Sequence, residues 1–244
     1  MHMSPQAALL LLFDIAGDDI AEHDDWHTRE HLPERLAIPG FLRGSRWVAA
    51  AGAPRYFVMY EVRELATLAS SAYLARLNSP TPWTARMMKS YIGMRRTLCS
   101  VAANFGAGLG NTALLVRFSA EPARRQALHD WLTKDVLPGV IAQPGIASAR
   151  VFAAALDANM TREQEIRGRD AMLESALLIS GYDAGVVAAL ADQELHGRDF
   201  AAHGALASEY ACNLFHSAVT LAAGDVGSCC VDAPLRGKDK HCQP

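Results

Sequence analysis

The chain has 244 residues, of which 50% are hydrophobic and 20% are charged, and its formal net charge is −3. This composition is typical of a globular protein with one large domain or two small ones. The charge provides no basic surface for nucleic acid or an anionic membrane, and no apolar run approaches the ~20 residues of a membrane-spanning helix. We therefore expect no nucleic-acid partner and no membrane partner.

The first half predicts the element order β-α-β-β-α-β. The apolar run ALLLLFD at residues 8–14 predicts a buried strand rather than a signal peptide, because no basic segment precedes it. A helix follows over residues 20–36, and Pro39-Gly40 ends it before a second strand over residues 41–50. The remaining predicted elements are a strand over 55–62, helical segments from 65 and over 83–91, and a strand over 98–105.

The second half repeats the first at a shift of 105 residues. DDWHTREHLPERLAIPG, which starts at Asp24, and HDWLTKDVLPGVIAQPG, which starts at His129, agree at eight of 17 positions. Agreement at Trp, Pro and Gly positions indicates a duplication. The matched pairs are Asp25/Asp130, Trp26/Trp131, Thr28/Thr133, Leu32/Leu137, Pro33/Pro138, Ala37/Ala142, Pro39/Pro144 and Gly40/Gly145.

The same element order is predicted for the second half, with strands over 112–118, 146–155, 173–181 and 210–221, a helix over 122–137 and helices within 184–207. We therefore predict one repeat over residues 1–106, a second over 111–224 and a flexible tail over 225–244. The connection LDANMTREQEIRGRDAM in the second half is long and charged, which predicts either a mobile flap or a solvent-exposed loop.

A βαββαβ unit predicts a ferredoxin-like fold, in which two helices cover one face of a four-stranded antiparallel sheet. The other face of such a sheet is apolar and needs a partner. Two sheets in one chain can cover each other. We therefore expect an α+β protein of two tandem ferredoxin-like repeats whose sheets pack face to face as an intrachain barrel.

A short histidine pattern lies on the first predicted helix. His27, Glu30 and His31 match H-x-x-E-H, which is typical of inverted zinc metallopeptidases. The second copy carries Leu132 and Val136 in place of the two histidines, so the helix forms without them. No glutamate suited to be the third ligand follows on a convincing helix. We therefore set the peptidase aside and expect no metal and no cofactor, with a two-histidine metal site as the alternative.

A longer pattern on the same segment resembles a known family. It reads W-x-x-x-x-H-x-P-x-x-x-x-x-P-G-F and resembles the first helix and second strand of EthD-like proteins. These belong to the dimeric α+β-barrel superfamily, with antibiotic-biosynthesis monooxygenases, polyketide cyclases and muconolactone isomerases. The residues that carry it are Trp26, His31, Pro33, Pro39, Gly40 and Phe41.

The resemblance implies that His31 faces a cavity between helices and sheet, as a general base or as a hydrogen-bond donor to a substrate oxygen. A neutral imidazole suits proton transfer near pH 7, because its usual pKa is about 6.5. The alternative is that His31 packs against the Pro-Gly turn. Val136 stands at the matching position of the second copy, which predicts that the cavity of the second half is smaller or filled.

Four further residues are candidates for substrate binding. Tyr60 joins a polar tip to an apolar ring on the third strand, and Trp83 belongs to an apolar helical stripe. Arg43 and Arg46 are three residues apart on the second strand, so their side chains point to opposite faces of the sheet. At most one of the two can therefore reach a cavity. Ordinary packing is the alternative for each. The candidates are His27, Tyr60, Trp83 and Arg46.

We expect a cofactor-independent enzyme that acts on a small apolar or aromatic metabolite. The reaction is either His-assisted proton transfer, as in an isomerase, cyclase or lyase, or cofactor-free oxygenation. One alternative is a non-catalytic small-molecule-binding or stress-response protein of the same fold. Another is a haem- or metal-dependent enzyme, because tandem ferredoxin-like chains include chlorite-dismutase-like proteins; His196 and His203 are the candidate axial ligands.

The cysteines indicate the compartment. Cys99 and Cys212 lie in apolar stretches, and the other three lie in the C-terminal tail without the spacing of a disulfide framework. We therefore expect a reducing, cytoplasmic location. A metal site formed by the tail residues Cys229, Cys230, His241 and Cys242 is an alternative to a disordered tail, and a homodimer is left open.

Overall fold

Eight antiparallel strands form a closed barrel in the computed structural model, which describes residues 5–155, 161–168, 170–171 and 174–226. Their order around the barrel is β1-β3-β2-β8-β5-β7-β6-β4. The strands are β1 (Ala7–Ile15), β2 (Phe41–Ala49), β3 (Tyr56–Val62), β4 (Tyr91–Gly106), β5 (Thr112–Phe118), β6 (Ile146–Ala155), β7 (Ser175–Gly181) and β8 (Ala211–Ala222). The predicted α+β class is confirmed.

The helices lie on the outside of the barrel. Those of the first half are α1 (Ile20–Trp26), α2 (Leu32–Leu36), α3 (Ser71–Asn78) and α4 (Pro82–Met87). Those of the second half are α5 (Arg125–Asp130), α6 (Leu137–Ile141), α7 (Arg162–Arg167), α8 (Ala184–Ala189) and α9 (Gly197–Ala202). A π-helical turn joins α1 to α2 over His27–His31, and another joins α5 to α6 over Trp131–Val136.

The two halves contribute one four-stranded sheet each, and these sheets join at both edges. Strand β2 pairs with β8, and β4 pairs with β6. The internal registers of the two sheets correspond, since Leu9 pairs with Tyr60, and Leu114, which lies 105 residues after Leu9, pairs with Ile179. The tandem ferredoxin-like arrangement is therefore present, and edge pairing closes it into a continuous barrel.

Strand alternation divides the apolar residues into three cores. Side chains of both halves fill the barrel interior, including Trp47, Phe57, Phe152 and Phe215, all of which are buried. The outer face of each sheet forms a separate core with the helices of its own half. Burial of each large interior side chain contributes about 2–3 kcal/mol. Since the interior core draws on both halves, it stabilises their association.

The repeated Pro-Gly pair has a backbone cause. Gly40 and Gly145 turn the chain from helix into strand with φ angles of 97° and 102°. Residues with a Cβ rarely adopt such angles, whereas glycine does so at little cost. A Cβ on Gly40 would also come within 2.7 Å of Thr67 Oγ1. The turn therefore requires glycine in both copies.

Strand β4 is longer than predicted. It begins at Tyr91, although the sequence predicted a start at residue 98, and it pairs with β1 as far as Ile15. The first part of this strand was not predicted, because the adjacent charged residues Arg95 and Arg96 interrupt the alternation of apolar and polar residues that is typical of a strand. Of the predicted tail, residues 227–244 lie outside the described residues. None of the described helices has the length and apolar character that crossing a bilayer requires.

Candidate functional site

The segment from α1 to α2 places three histidines in one column against the sheet of the first half. His23, His27 and His31 are all buried, and the ring centroids of successive histidines are 5.5 Å apart. Their spacing includes a π-turn, in which the N–H of Leu32 donates to the carbonyl of His27. The next residue is Pro33, which lacks an N–H and crowds the preceding turn, so a widened turn accommodates it.

The matching π-turn in the second half precedes Pro138, and there the N–H of Leu137 donates to the carbonyl of Leu132. The widened turn therefore belongs to the fold, since it forms with and without histidines. The histidine column occurs in the first copy only.

A small enclosed cavity lies beside this column, between the helices and the sheet. Its volume is about 30 Å³, room for roughly one water molecule. His31 and Tyr60 both line it, as the predicted general base and one predicted substrate contact. The complete lining is Leu9, Leu11, His31, Arg35, Tyr60, Tyr73, Leu77, Met88, Tyr91, Met94, Arg96, Thr161, Glu163 and Arg167. We call it the first-half cavity.

Burial keeps His31 and His27 neutral. Desolvation lowers the pKa of His31 well below its usual 6.5, and the positive charge of Arg35 lowers it further. Desolvation likewise lowers the pKa of His27 well below 6.5. The Nδ1 atoms of both rings are buried and have no hydrogen-bond partner among the described residues. Because an unsatisfied buried polar atom costs about 1–3 kcal/mol, these atoms suit a ligand group.

Tyr60 connects His27 to the cavity wall. Its hydroxyl lies 3.4 Å from His27 Nε2. Burial raises the pKa of Tyr60 well above its usual value, so the hydroxyl keeps its proton. Tyr60 can therefore donate a hydrogen bond to a substrate oxygen or to His27.

An ionic network anchors the other end of the histidine column. Arg46 donates through Nη1 to the carbonyl of Asp24 at 3.0 Å, and Tyr56 donates to the carboxylate of Asp24 at 2.9 Å. His23 Nδ1 lies 3.3 Å from the same carboxylate. Burial by itself raises the pKa of Asp24, but the His23 contact and Arg46 outweigh it and lower the pKa. Arg46 therefore fixes the helix against β2 and does not line the cavity.

Helix α7 belongs to the second half but covers the first-half cavity. Glu163 forms a buried ion pair with Arg35, and Ile166 packs on the apolar cluster that includes Trp26. Burial alone lowers the pKa of Arg35, but the Glu163 carboxylate reverses this and raises it. The solvent-exposed-loop reading of this connection is therefore wrong for α7, which we call the cover helix.

The second half replaces the polar residues of this site with apolar ones. At the matching positions, His23 becomes Leu128, His27 becomes Leu132, and His31 becomes Val136. Similarly, Arg35 becomes Val140, and strand pairing matches Tyr60 to Ile179. At these five positions, acid–base groups therefore occur only in the first half.

The second half nevertheless contains the larger cavity. It is open to the surface and measures about 700 Å³. Our expectation of a smaller or filled second cavity is wrong. The first half has only residues 50–55 between β2 and β3, whereas residues 156–174 connect β6 to β7. Each connection runs beside the last strand of the other half. The backbone N–H of Ala50 donates to the carbonyl of Leu214 on β8, and the N–H of Ala171 donates to the carbonyl of Met94 on β4. Only the longer one provides a cover.

The remaining predicted residues lie outside the first-half cavity. Trp83 is partly buried and donates to Glu22 Oε1 at 3.1 Å, and it packs beside Trp26. Glu30 of the H-x-x-E-H pattern accepts hydrogen bonds from Trp26 and from Thr84 on α4. The described residues contain no group of three or more side chains arranged to hold a metal ion.

The candidate haem ligands occupy separate environments. His203 stacks on Trp131 with ring centroids 4.1 Å apart, and its Nδ1 lies 2.8 Å from the carbonyl of Asp199. His196 lines the second-half cavity. The two histidines thus belong to different surroundings and do not form a pair.

Sequence reasoning missed several residues that line the first-half cavity. Arg35 is an example. It follows Glu34 on a helix, and two adjacent charged residues on a helix are typical of a solvent-exposed face. The repeat carried a usable signal, since the second copy has the apolar Val140 at that position and so marks it as inward-facing. The other missed polar residues are Tyr73, Tyr91, Arg96, Thr161, Glu163 and Arg167.

No protein-family model and no curated protein sequence matches the chain. Solved structures do match. An anthrone oxidase-like protein is 11% identical with a TM-score of 0.64, over 93% of this chain and 97% of that one. A protein assigned as a monooxygenase from Fusobacterium nucleatum subsp. nucleatum ATCC 25586 is 9% identical with a TM-score of 0.59, over 90% of this chain and 95% of that one.

A third similar structure is assigned as a monooxygenase from Lactobacillus acidophilus NCFM. It is 10% identical with a TM-score of 0.56, over 90% of this chain and 97% of that one. At these identities the similarity concerns the fold. The shared fold is an α+β barrel that closes within one chain.

Proposed function

We propose that the protein is a cofactor-independent enzyme acting on a small, mostly apolar metabolite, and that the first-half cavity is its active site. The observation that carries this proposal is His31. It is neutral and buried on the wall of an enclosed cavity, and its Nδ1 has no partner among the described residues. The matching residue of the other copy is Val136, so the fold does not require a histidine there.

The chemistry begins with removal of a proton. His31 takes a proton from a C–H beside a carbonyl group or from a phenol, and the substrate becomes an enolate or phenolate. The Tyr60 hydroxyl can donate a hydrogen bond to this anion, and so can the N–H groups of Arg35 and Arg167 that their ion pairs with Glu163 and Asp170 leave free. Preorganised donors act strongly where water is excluded. In an isomerase or cyclase the imidazolium of His31 then returns the proton to another atom of the substrate.

Oxygenation is the variant that the similar structures favour, since their assigned names include anthrone oxidase-like and monooxygenase. An anthrone is a ring ketone with an acidic methylene group. Its oxidation balances as R₂CH₂ + O₂ → R₂C=O + H₂O, with molecular oxygen as the oxidant. Proton removal by His31 gives the electron-rich anion that oxygen attacks. The EthD-like relationship implied by the helix pattern is part of this proposal.

Substrate entry requires the cover helix to move, because a cavity of about 30 Å³ holds no metabolite. This movement would break the buried ion pair with Arg35, the apolar contact of Ile166, and the hydrogen bonds that Arg162 donates to Asn78 and Arg167 donates to Met88. The second candidate function is a binding protein that holds a small ligand in this cavity without reaction.

The test is oxygen uptake and anthraquinone formation by the purified protein supplied with anthrone. We expect His31→Gln to lower turnover by about 10²–10⁴-fold, the usual contribution of a positioned acid–base group. His216→Gln is the matched control, because His216 is exposed on β8. Wild-type turnover equal to the rate without protein would contradict oxygenation of anthrones. Equal turnover by wild type and His31→Gln would remove His31 from the reaction, and anthrone binding without turnover would support the binding function.

A further inference from the structure

The second-half cavity occupies the place in the fold that corresponds to the first-half cavity. Leu114 lines it at the position matched to Leu9. Cys212 lines it beside Val116, as Arg96 lines the other cavity beside Leu11. The complete lining is Leu114, Ala188, Ala191, Asp192, His196, Gly197, Arg198, Ala201, Ala207, Tyr210, Cys212 and Leu214.

The wall of this cavity is suited to a flat apolar molecule. Alanines line its helical side, and Leu114, Leu214 and the ring of Tyr210 line its sheet side. Small side chains facing a strand surface leave a gap into which a ring can slide. A volume of about 700 Å³ falls within the range of about 300–1,000 Å³ that small-molecule sites occupy.

The cavity has one defined hydrogen-bond donor. His196 Nδ1 accepts from the backbone N–H of Arg198 at 3.0 Å and from its side-chain Nε at 3.3 Å. Nδ1 is therefore unprotonated, and the proton of the neutral ring sits on Nε2. Arg198 and Asp192 also line the cavity and are exposed, so its rim carries one positive and one negative charge.

Acid–base groups are missing from the core beside this cavity. Val136, Val140 and Ile179 stand where the first half has His31, Arg35 and Tyr60. Burial raises the pKa of Cys212 to about 11, so its thiol is protonated near neutral pH and is a poor nucleophile. A ligand here meets apolar walls and hydrogen-bond donors at the rim.

We propose that the second-half cavity is a binding site for a planar, apolar molecule that carries a carboxylate or carbonyl oxygen, and that it holds this molecule without chemical change. The ring lies between the alanines and the sheet, and the oxygen accepts from His196 Nε2 or Arg198. This site is independent of the function proposed for the first-half cavity. The duplicated chain thus separates a closed polar cavity from an open apolar one.

The test uses anthracene-2-carboxylate as the probe and its fluorescence anisotropy as the readout, with the full chain as titrant. We expect saturable binding of one equivalent. Ala201→Phe fills the cavity and should weaken binding by about tenfold or more, because its ring takes the space of the ligand. Ala202→Phe is the matched control, since Ala202 is the next residue of α9 and is exposed. His196→Ala should weaken binding by about fivefold, through loss of one hydrogen bond.

Urea unfolding verifies that each variant is folded, and Ala188→Phe on α8 replaces Ala201→Phe if the latter is not. His31→Gln should leave probe binding unchanged, so failure of the proposed reaction and failure of this site are distinguishable. The inference is overturned by the absence of saturable binding, or by equal binding to wild type and to the folded cavity-filling variant. Loss of binding in His31→Gln alone would also overturn it, because the probe would then occupy the first-half cavity.

Discussion

Acid should destabilise this protein through the buried histidines of the first half. The pKa of His27 and of His31 is lowered well below 6.5, chiefly by desolvation. In the unfolded chain both regain a pKa of about 6.5. Below that pH the unfolded chain binds protons that the folded protein cannot accept. The stability they support is therefore complete above pH 6.5 and is lost as the pH falls.

The magnitude follows from linkage. At pH 5.5, one unit below the unfolded pKa, each of these histidines lowers the free energy of unfolding by about 1.4 kcal/mol. Between pH 7.5 and 5.5 the two together therefore lower it by about 3 kcal/mol. His23 adds less, because its contact with Asp24 opposes the effect of burial on its pKa. The neighbouring cations Arg35, Arg46 and Arg167 add to the effect, because each disfavours protonated imidazole.

The second copy supplies the matched variant. His27→Leu together with His31→Val installs the residues found at Leu132 and Val136. The assay is urea unfolding of both proteins at pH 7.5, 6.5 and 5.5, followed by tryptophan fluorescence. We expect the wild type to lose about 3 kcal/mol more than the double variant over this range. Loss of the Tyr60 contact shifts the variant equally at every pH, so it does not affect the comparison. Identical pH dependence in the two proteins would refute buried neutral histidines.

Two further predictions concern the backbone and the barrel. Gly40→Ala should cost about 2 kcal/mol in urea unfolding, because of its positive φ and the clash with the Thr67 side chain; Gly139→Ala is the control and should be neutral or stabilising, since a Cβ there meets nothing within 4 Å. Glu61→Met leaves the buried Arg150 and the partly buried Arg43, both of which pair with Glu61, without a carboxylate. It should cost about 3–5 kcal/mol, and Arg150→Met should cost less because Arg43 still pairs with Glu61.

The repeat made much of the fold predictable. The second-half strands β5 and β6 begin and end where the sequence predicted, because their apolar runs are bounded by glycine and polar residues. Helical residues 20–36 were predicted as one segment, and the structure differs there only by the π-turn before Pro33. Barrel closure was less visible, because the pairs β2–β8 and β4–β6 join strands of different halves, and no local pattern shows which strand edges meet.

The active-site prediction was limited by distance along the chain. His31 and Tyr60 come from elements that pair locally, so their proximity follows from the βαββαβ order. Glu163 lies 128 residues from Arg35, and no local pattern shows that a connection in one half covers the cavity of the other. The prediction of the relative cavity sizes was wrong for the same reason. The length of the covering connection decides the sizes, whereas the residue at position 136 does not.

The cover helix supplies the final prediction. Glu163→Ala leaves the buried guanidinium of Arg35 without its main partner, and breaking a buried pair costs about 3–5 kcal/mol. Glu34 lies 3.6 Å from Arg35 and offsets part of this cost. The protein can avoid the remainder by releasing the cover helix, which lets water reach Arg35. The loss should therefore appear as local opening, at about 100-fold faster hydrogen exchange for amides of Arg162–Arg167, since each 1.4 kcal/mol is a factor of ten. Exchange in β5 should be unchanged.

Glu165→Ala is the control on the same helix, because Glu165 is exposed and pairs only with Arg162 among the described residues. Exchange rates in Glu163→Ala that equal those in Glu165→Ala would mean that the ion pair does not hold the cover helix closed.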